Sequence, residues 1–301
     1  MVFVRPLPNG TFSFISMDNY VHVDEKWFYL TKVNRRYYVY DDEEVAAVKS
    51  KHFITKVMFL AAVARPRFDP HTRRVFDGKI GVWPFVDVVA AKRKSVNRDK
   101  GTLVTVPLSV NAEVYYDTVV TKVIPAIKSK FPSSTTSSGK VIIQQDNASP
   151  HKCVTTRKLD DRGISGIEIA NQPSNSPDFN VLDLGFFNSI QSLQHQKSTR
   201  SIEELVDAVQ AAFYEMPVAT LSKTLITLQK VMEMSIAIHG SNDYKLPHMN
   251  KDAKIADLAS YNVKCDGTIY ESALMHLNCR LEQEAHLEAI VNSQDEDTSG
   301  I

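Results

Sequence analysis

Residues 141–151 read Val-Ile-Ile-Gln-Gln-Asp-Asn-Ala-Ser-Pro-His, and the prediction of the fold starts from this stretch. It begins as a short run of β-branched side chains, which is typical of a buried strand. The run then gives way to polar residues, so Asp146 stands where the strand ends, and a turn at 147–150 leads into a predicted helix. Ligands collect at the strand ends of open α/β sheets, so the stretch predicts a sheet with a site beside it.

Two further aspartates lie in comparable positions. Asp24 interrupts the apolar run of residues 20–30, and Asp183 opens an apolar, helix-like segment after a turn-rich stretch. One such carboxylate is usually a cap, a turn former or an ion-pair partner, and Asp183 alone is explained as an acidic residue at a helix start. Three carboxylates, each at the end of a separate core element, suggest a metal site. Because strand side chains alternate, Glu25 is predicted to face away from Asp24.

Several segments of the chain resemble the catalytic domain of mariner-like transposases, in the branch common in plants and oomycetes whose third acidic residue is Asp. The segments are VHVDEKWFYLTK, KVMFLAAVARPRFD, FDGKIGVWPFV, GTLVTVPLSV, QQDNASPH and NQPSNSPDFNVLDLGFFNSIQSLQ. The match extends from about residue 17 to about residue 249. The resemblance implies an α/β, ribonuclease H-like fold: a mixed sheet flanked by helices, with an insertion at about 87–110 between the first two catalytic aspartates. It places the family's acidic triad on Asp24, Asp146 and Asp183.

The resemblance also implies a chemistry. Carboxylate oxygens suit Mg²⁺ or Mn²⁺ rather than zinc, and two such ions can stabilise both oxygens of an in-line phosphoryl displacement. The implied activity is metal-dependent DNA transposition, in which a phosphodiester at a transposon end is hydrolysed and the freed 3′-hydroxyl attacks target DNA. The implied partners are transposon terminal repeats and target DNA. A homodimer and a nuclear location are expected on the same ground.

The composition is that of a globular protein with no global attraction to polyanions. The chain has 35 basic and 35 acidic residues and a formal net charge of zero, so any contact with DNA must come from local patches. Its three cysteines are odd in number and form no CxxC pair, which favours a reducing compartment over a disulfide framework or a zinc module. No apolar run is long enough to span a bilayer, and the N-terminus lacks the pattern of a secretory signal.

Residues 90–101 form the most basic stretch, and two interpretations of it stay open. It is either a solvated loop, as most charge runs are, or an insertion that contacts DNA phosphates. The basic side chains are Lys92, Arg93, Lys94, Arg98 and Lys100. His151, just beyond the Asp146 strand, is a further candidate for phosphate or ligand contact, with packing at a helix start as the alternative.

The sequence predicts three regions: a linker remnant at 1–17, a catalytic domain at 18–250, and a helical extension with an acidic tail at 251–301. Apolar runs predict strands near 21–30, 36–40, 54–64, 79–86, 141–145 and 164–170. Helical spacing predicts helices near 113–131, 152–161, 183–195 and 218–238, another from the capping pattern at 201–204, and a last one near 281–290.

One departure from the family opens an alternative function. Related proteins carry N-terminal helix-turn-helix modules that read transposon ends, and too few residues precede Asp24 for one such module. A truncated catalytic domain is therefore expected. The alternative is a catalytically inactive, transposon-derived module for DNA binding or assembly, and a weaker third option is a general ribonuclease H-like nuclease.

Overall fold

The computed structural model describes residues 3–8, 10–30, 55–94, 98–132, 139–174, 176–245, 249–251 and 255–298. The chain divides into two compact units, residues 18–225 and residues 1–17 together with 226–301. The predicted strand at 36–40 lies outside the described residues, as does the first residue of the run at 54–64. No helix in the described ranges is both long enough and apolar enough to cross a membrane.

The strands and helices are numbered here in chain order. The strands are β1 (Val4–Pro6), β2 (Phe12–Phe14), β3 (Tyr20–Tyr29), β4 (Lys56–Ala64), β5 (Arg67–Asp69), β6 (Arg74–Phe76), β7 (Lys79–Pro84), β8 (Val86–Ala90), β9 (Leu103–Pro107), β10 (Val141–Gln145), β11 (Ile167–Asn171) and β12 (Lys264–Cys265). The helices are α1 (Ala112–Thr118), α2 (Ile124–Lys130), α3 (Thr156–Asp161), α4 (Phe187–Gln194), α5 (Ile202–Glu215), α6 (Val218–Ala237) and α7 (Gly267–Thr298).

A five-stranded mixed sheet forms the centre of the 18–225 unit. Its strand order is β11-β10-β3-β4-β7. Strand β10 pairs in parallel with β11 and β3, whereas β4 pairs antiparallel with β3 and β7. The predicted mixed α/β sheet is therefore confirmed, and the stretch that ends at Asp146 lies next to the strand that carries Asp24.

The two faces of this sheet are covered by different helices. Val21, Val23 and Leu60 belong to the core cluster that includes Tyr115 and the apolar side of α1 and α2. The alternate side chains point the other way, where the Phe28 ring lies 6.4 Å from the ring of Phe187 in α4. Since strand side chains alternate, Asp24 shares the α4 face with Phe28, and Glu25 shares the α1 face with Val23.

The predicted helix at 113–131 is continuous but contains a π-helical turn at Val119–Val123 between α1 and α2. Pro125 follows this turn, and proline has no N–H with which to continue the α-helical ladder. The backbone N–H of Ile124 instead donates to the carbonyl of Val119, five residues earlier. A proline therefore widens this helix locally without ending it.

Two antiparallel hairpins extend from the sheet unit. Strands β5 and β6 form one, and β8 and β9 form the other within the predicted insertion. The β8–β9 hairpin carries the predicted basic stretch at its tip and has strongly exposed apolar side chains, including Leu103 at 70%. We call Lys92, Arg93, Lys94, Arg98 and Lys100 the basic hairpin tip.

The second unit contains a small antiparallel sheet in the order β1-β2-β12. Residues 1–17 were predicted as a linker remnant, and they contribute the two short strands β1 and β2. Phe14 of β2 is buried, and the ring of Phe12 stacks on that of Tyr270 at 4.5 Å. Gln229 joins the segments of this unit: its Nε2 donates to the carbonyl of Ile15 at 3.0 Å, and its Oε1 accepts from the N–H of Val263 at 2.8 Å. Helix α7 is longer than the predicted 281–290 segment.

Candidate active site

Strand register brings Asp146 next to Asp24. Gln144 of β10 lies opposite His22 of β3 in the parallel pair of strands. Asp146 follows Gln144 by two residues, and Asp24 follows His22 by two residues. Adjacent strands lie about 4.8 Å apart, so Asp146, just past the end of β10, lies beside Asp24 in the middle of β3.

Asp24 is a buried carboxylate in an environment that opposes its charge. Its side chain lies on the α4 face of β3, and the residue is 8% exposed. Its Oδ1 accepts from the backbone N–H of Glu25 at 2.8 Å. Burial raises the pKa of Asp24 well above its usual value, and the negative charges of Asp183, Glu25 and Asp146 raise it further. A bound cation would relieve this repulsion.

Asp183 reaches the same site from a distorted helix start. It lies in a π-helical turn, Leu182–Phe186, where Gly185 has a φ of +126° that favours glycine. Asp183 lies close enough to Asp24 for its negative charge to raise the pKa of Asp24. Burial raises the pKa of Asp183, against the opposing positive charge of Lys26. Asp183 is therefore part of the carboxylate group as well as a helix-start residue.

Lys26 is the cation on the Asp24 side of the site. It follows Asp24 by two residues on the same face of β3. Its Nζ donates to Oδ1 of Asn188 in α4 at 3.3 Å and lies 5.6 Å from the ring centre of Phe187. Lys26 thus ties the strand that carries Asp24 to the helix that follows Asp183.

Asp146 is held by a turn and by His151. Its Oδ1 accepts from the backbone N–H of Ala148 at 2.9 Å and contacts Nδ1 of His151. The opposite ring nitrogen of His151, Nε2, lies 3.0 Å from Oε1 of Glu25. Burial alone would lower the pKa of His151, but Asp146 and Glu25 raise it to about 9. The contact with His151 in turn lowers the pKa of Asp146.

The imidazole of His151 sits in a pocket formed by α1 and β10. The residue is 3% exposed, and its ring stacks on that of Tyr115 at 4.1 Å. Gln145 Nε2 donates to the carbonyl of His151 at 3.0 Å, and the Tyr115 hydroxyl donates to Oε1 of Gln145 at 3.2 Å. Both ring nitrogens of His151 thus face carboxylates, and the ring itself is buried.

The donor chemistry of the site fits a hard divalent cation, although the side chains are not arranged around one. Within the described ranges, no group of three or more His, Cys, Asp and Glu side chains is placed to hold a metal ion. The aspartate oxygens are ligands that Mg²⁺ and Mn²⁺ prefer. Burial first, and neighbouring negative charge second, raise the pKa of Asp24 and Asp183, and a bound cation would favour their ionised forms.

The basic hairpin tip is solvent-exposed where it is described. Lys94 Nζ lies 3.1 Å from Oδ1 of Asp99, and both side chains are largely exposed. Such a surface ion pair contributes little to stability. The basic side chains of the tip are exposed to solvent, where a polyanion can reach them. Residues 95–97 between the two strands of the hairpin lie outside the described residues.

Sequence reasoning missed Glu25, Lys26 and Tyr115 as parts of the site. Alternation correctly placed Glu25 on the opposite face from Asp24, but the buried His151 on that face depends on the packing of α1. Glu25 and His151 are 126 residues apart in the chain, so no local pattern could have paired them. The Asp-Glu-Lys run at 24–26 was the one available signal, since three charged residues rarely interrupt a buried strand.

This mixed five-stranded sheet, with helices on both faces, has the ribonuclease H-like fold. The Mos1 mariner paired-end complex with Mn is similar over 75% of this chain and 56% of that chain, with a TM-score of 0.51 and 18% identity. The pre-cleavage Mos1 transpososome is similar over 75% of this chain and 57% of that chain, with a TM-score of 0.52 and 18% identity. No protein-family model and no curated protein sequence matches the chain.

Proposed function

We propose that the chain is a metal-dependent DNA transposase catalytic domain. It would hydrolyse a phosphodiester at a transposon end and then join the freed 3′-hydroxyl to target DNA. The proposal is supported by the strand register that sets Asp146 beside Asp24, together with the negative charge of Asp183, which raises the pKa of Asp24. Membership of the plant and oomycete branch, a homodimer and a nuclear location belong to the same proposal and rest on sequence resemblance.

Each part of the site has a role in this chemistry. Asp24, Asp146 and Asp183 would hold Mg²⁺ or Mn²⁺, which when bound stabilises the attacking and leaving oxygens of an in-line displacement. Lys26 keeps positive charge next to Asp183. The basic hairpin tip would contact DNA phosphates, which orient DNA without reading its sequence. One of the similar Mos1 structures is a paired-end complex with Mn, which supports a metal and a DNA partner here.

The direct test is cleavage of DNA that carries the terminal repeats flanking this gene in its genome. Wild-type protein should nick the repeat ends in Mn²⁺ and not in EDTA, and Asp146→Asn should be inactive. Asp161→Asn is the matched control, because Asp161 is exposed at the end of α3. Equal nicking by wild type and Asp146→Asn would contradict the assignment of the site.

One observation favours the alternative of a catalytically inactive module for DNA binding or assembly. Among the described residues, no three His, Cys, Asp or Glu side chains are already placed to hold a metal ion. A metal titration separates the two functions, since a cation that binds only the folded protein stabilises it by about 2.7 kcal/mol at 100 times its Kd. A rise in Tm with millimolar Mn²⁺ that Asp146→Asn abolishes supports the enzyme. No rise in the wild type supports the inactive module.

A further inference from the structure

We infer that Glu25 and His151 act together as a positioning pair that holds Asp146 and directs its Oδ2 at the metal. The inference rests on the proposed metal-dependent function and adds two residues to it. Neither residue would touch the metal or the DNA. Glu25 acts on His151, and His151 acts on Asp146.

Asp146 needs positioning in a way that Asp24 does not. Asp24 lies within β3 and is 8% exposed, so the strand and its packing fix the direction of its side chain. Asp146 follows the last residue of β10, in a turn, and its side chain is 36% exposed. A ligand at the end of a strand must be oriented by other groups if it is to meet a cation in one geometry.

The groups that surround Asp146 select one of its oxygens. The backbone N–H of Ala148 donates to Oδ1 of Asp146, and Nδ1 of His151 contacts the same oxygen. The carboxylate is therefore anchored through one oxygen, and its rotation is set by a ring that cannot move freely. Oδ2 is the oxygen that this anchoring leaves for the cation.

The ring of His151 is itself fixed from three elements. Glu25 Oε1 of β3 lies 3.0 Å from Nε2, the Tyr115 ring of α1 stacks at 4.1 Å, and Gln145 of β10 binds the backbone carbonyl at 3.0 Å. Glu25 is suited to this role because it points to the α1 face, away from Asp24. With its side chain 10% exposed, Glu25 is engaged inside the protein rather than at the DNA surface.

Positioning of this kind is measurable as metal affinity. Groups that orient metal ligands typically contribute 10- to 100-fold in affinity or activity when removed. We therefore expect Glu25→Gln and His151→Gln each to weaken Mn²⁺ binding by about 10- to 100-fold. Since the two residues act in series on one carboxylate, the double variant should be no weaker than the weaker single variant.

The experiment is calorimetric titration of Mn²⁺ alone into the full chain, followed by kinetics on terminal-repeat DNA. The variants are Glu25→Gln, His151→Gln and the double, with the exposed residues Glu288 and His71 changed to Gln as matched controls. Positioning predicts weaker Mn²⁺ binding and lower kcat with unchanged KM for DNA. If His151→Gln fails to fold by circular dichroism, Glu25→Gln carries the test, because the amide keeps the shape of the carboxylate.

The outcomes separate this inference from the proposed function. Wild-type Mn²⁺ affinity in Glu25→Gln overturns the positioning pair, as does a raised KM with unchanged Mn²⁺ affinity, which would indicate DNA contact. Additive losses in the double variant also overturn it, because the residues would then act independently. If the wild type binds no Mn²⁺, or Asp146→Asn binds it normally, the proposed function fails and the inference fails with it. If Asp146→Asn loses Mn²⁺ binding while Glu25→Gln and His151→Gln keep it, the proposed function stands and the positioning pair is refuted.

Discussion

Replacing His151 with Gln should remove a pH-dependent part of the stability of the metal-free protein. The imidazole lies between Asp146 and Glu25, is 3% exposed, and is charged in the folded state because these carboxylates outweigh the effect of burial. In the unfolded chain His151 titrates at its ordinary pKa. Stability is therefore linked to the protonation of this one residue.

The size of the effect follows from the pKa of His151, which rises from 6.5 to about 9 on folding. At about 1.4 kcal/mol for each unit of pKa difference, the protonated His151 contributes about 3 kcal/mol to the free energy of unfolding. Because the folded pKa is the higher one, the contribution is fully present below about pH 6.5 and is lost as the pH rises through about 9. Wild type should thus lose about 3 kcal/mol more than His151→Gln between pH 6 and pH 9.5.

The assay is urea unfolding in EDTA, followed by tryptophan fluorescence. Trp27 and Trp83 both lie in the 18–225 unit, so the signal reports on the unit that contains the site. Tyr115 and Cys153 are present in both proteins, and burial raises the pKa of each. His71→Gln, at an exposed position, should follow the wild type. The same pH dependence in wild type and His151→Gln would refute the placement of a charged imidazole between two carboxylates.

The geometry leads to three further predictions. Asp24→Asn should stabilise the metal-free protein at neutral pH and abolish its stabilisation by Mn²⁺. The raised pKa of Asp24 means that its ionised form destabilises the fold, increasingly as pH rises through that pKa. Urea unfolding with and without Mn²⁺ measures both effects. Gly78→Ala should cost about 2–3 kcal/mol, since the residue has a φ of +79° and the new Cβ would lie 2.2 Å from the Ala64 carbonyl oxygen. Gly101→Ala, at a φ of +91° with open space around it, should cost clearly less in the same measurement. Changing the basic hairpin tip to Ala should weaken binding to random duplex DNA, and the log–log salt dependence should become shallower by about 0.9 for each phosphate that the variant no longer neutralises; an unchanged slope would place the DNA-binding surface elsewhere.

Much of the sheet was predictable because its signals are local. Alternating or continuous apolar runs mark β3, β4, β7 and β10, since a strand buried by helices must be apolar on both faces. The start of α5 was also local: Ser201 Oγ accepts from the N–H of Glu204 at 3.2 Å, and Glu204 in turn accepts from the N–H of Arg200 at 2.6 Å. Short strands such as β1 and β2 were missed, because three residues are too few to show a period.

The amino-acid pattern was thus sufficient to predict the mixed α/β sheet and, with the family resemblance, to select Asp24, Asp146 and Asp183. Tertiary packing decided what surrounds them. Parallel register sets Asp146 beside Asp24, and the two faces of β3 send Asp24 toward α4 and Glu25 toward α1. Hydrophobic periodicity is a property of neighbouring residues and can be seen in a sequence. The pairing of His151 with Glu25 joins residues 126 positions apart, so it exists only once the sheet and helix α1 have packed together.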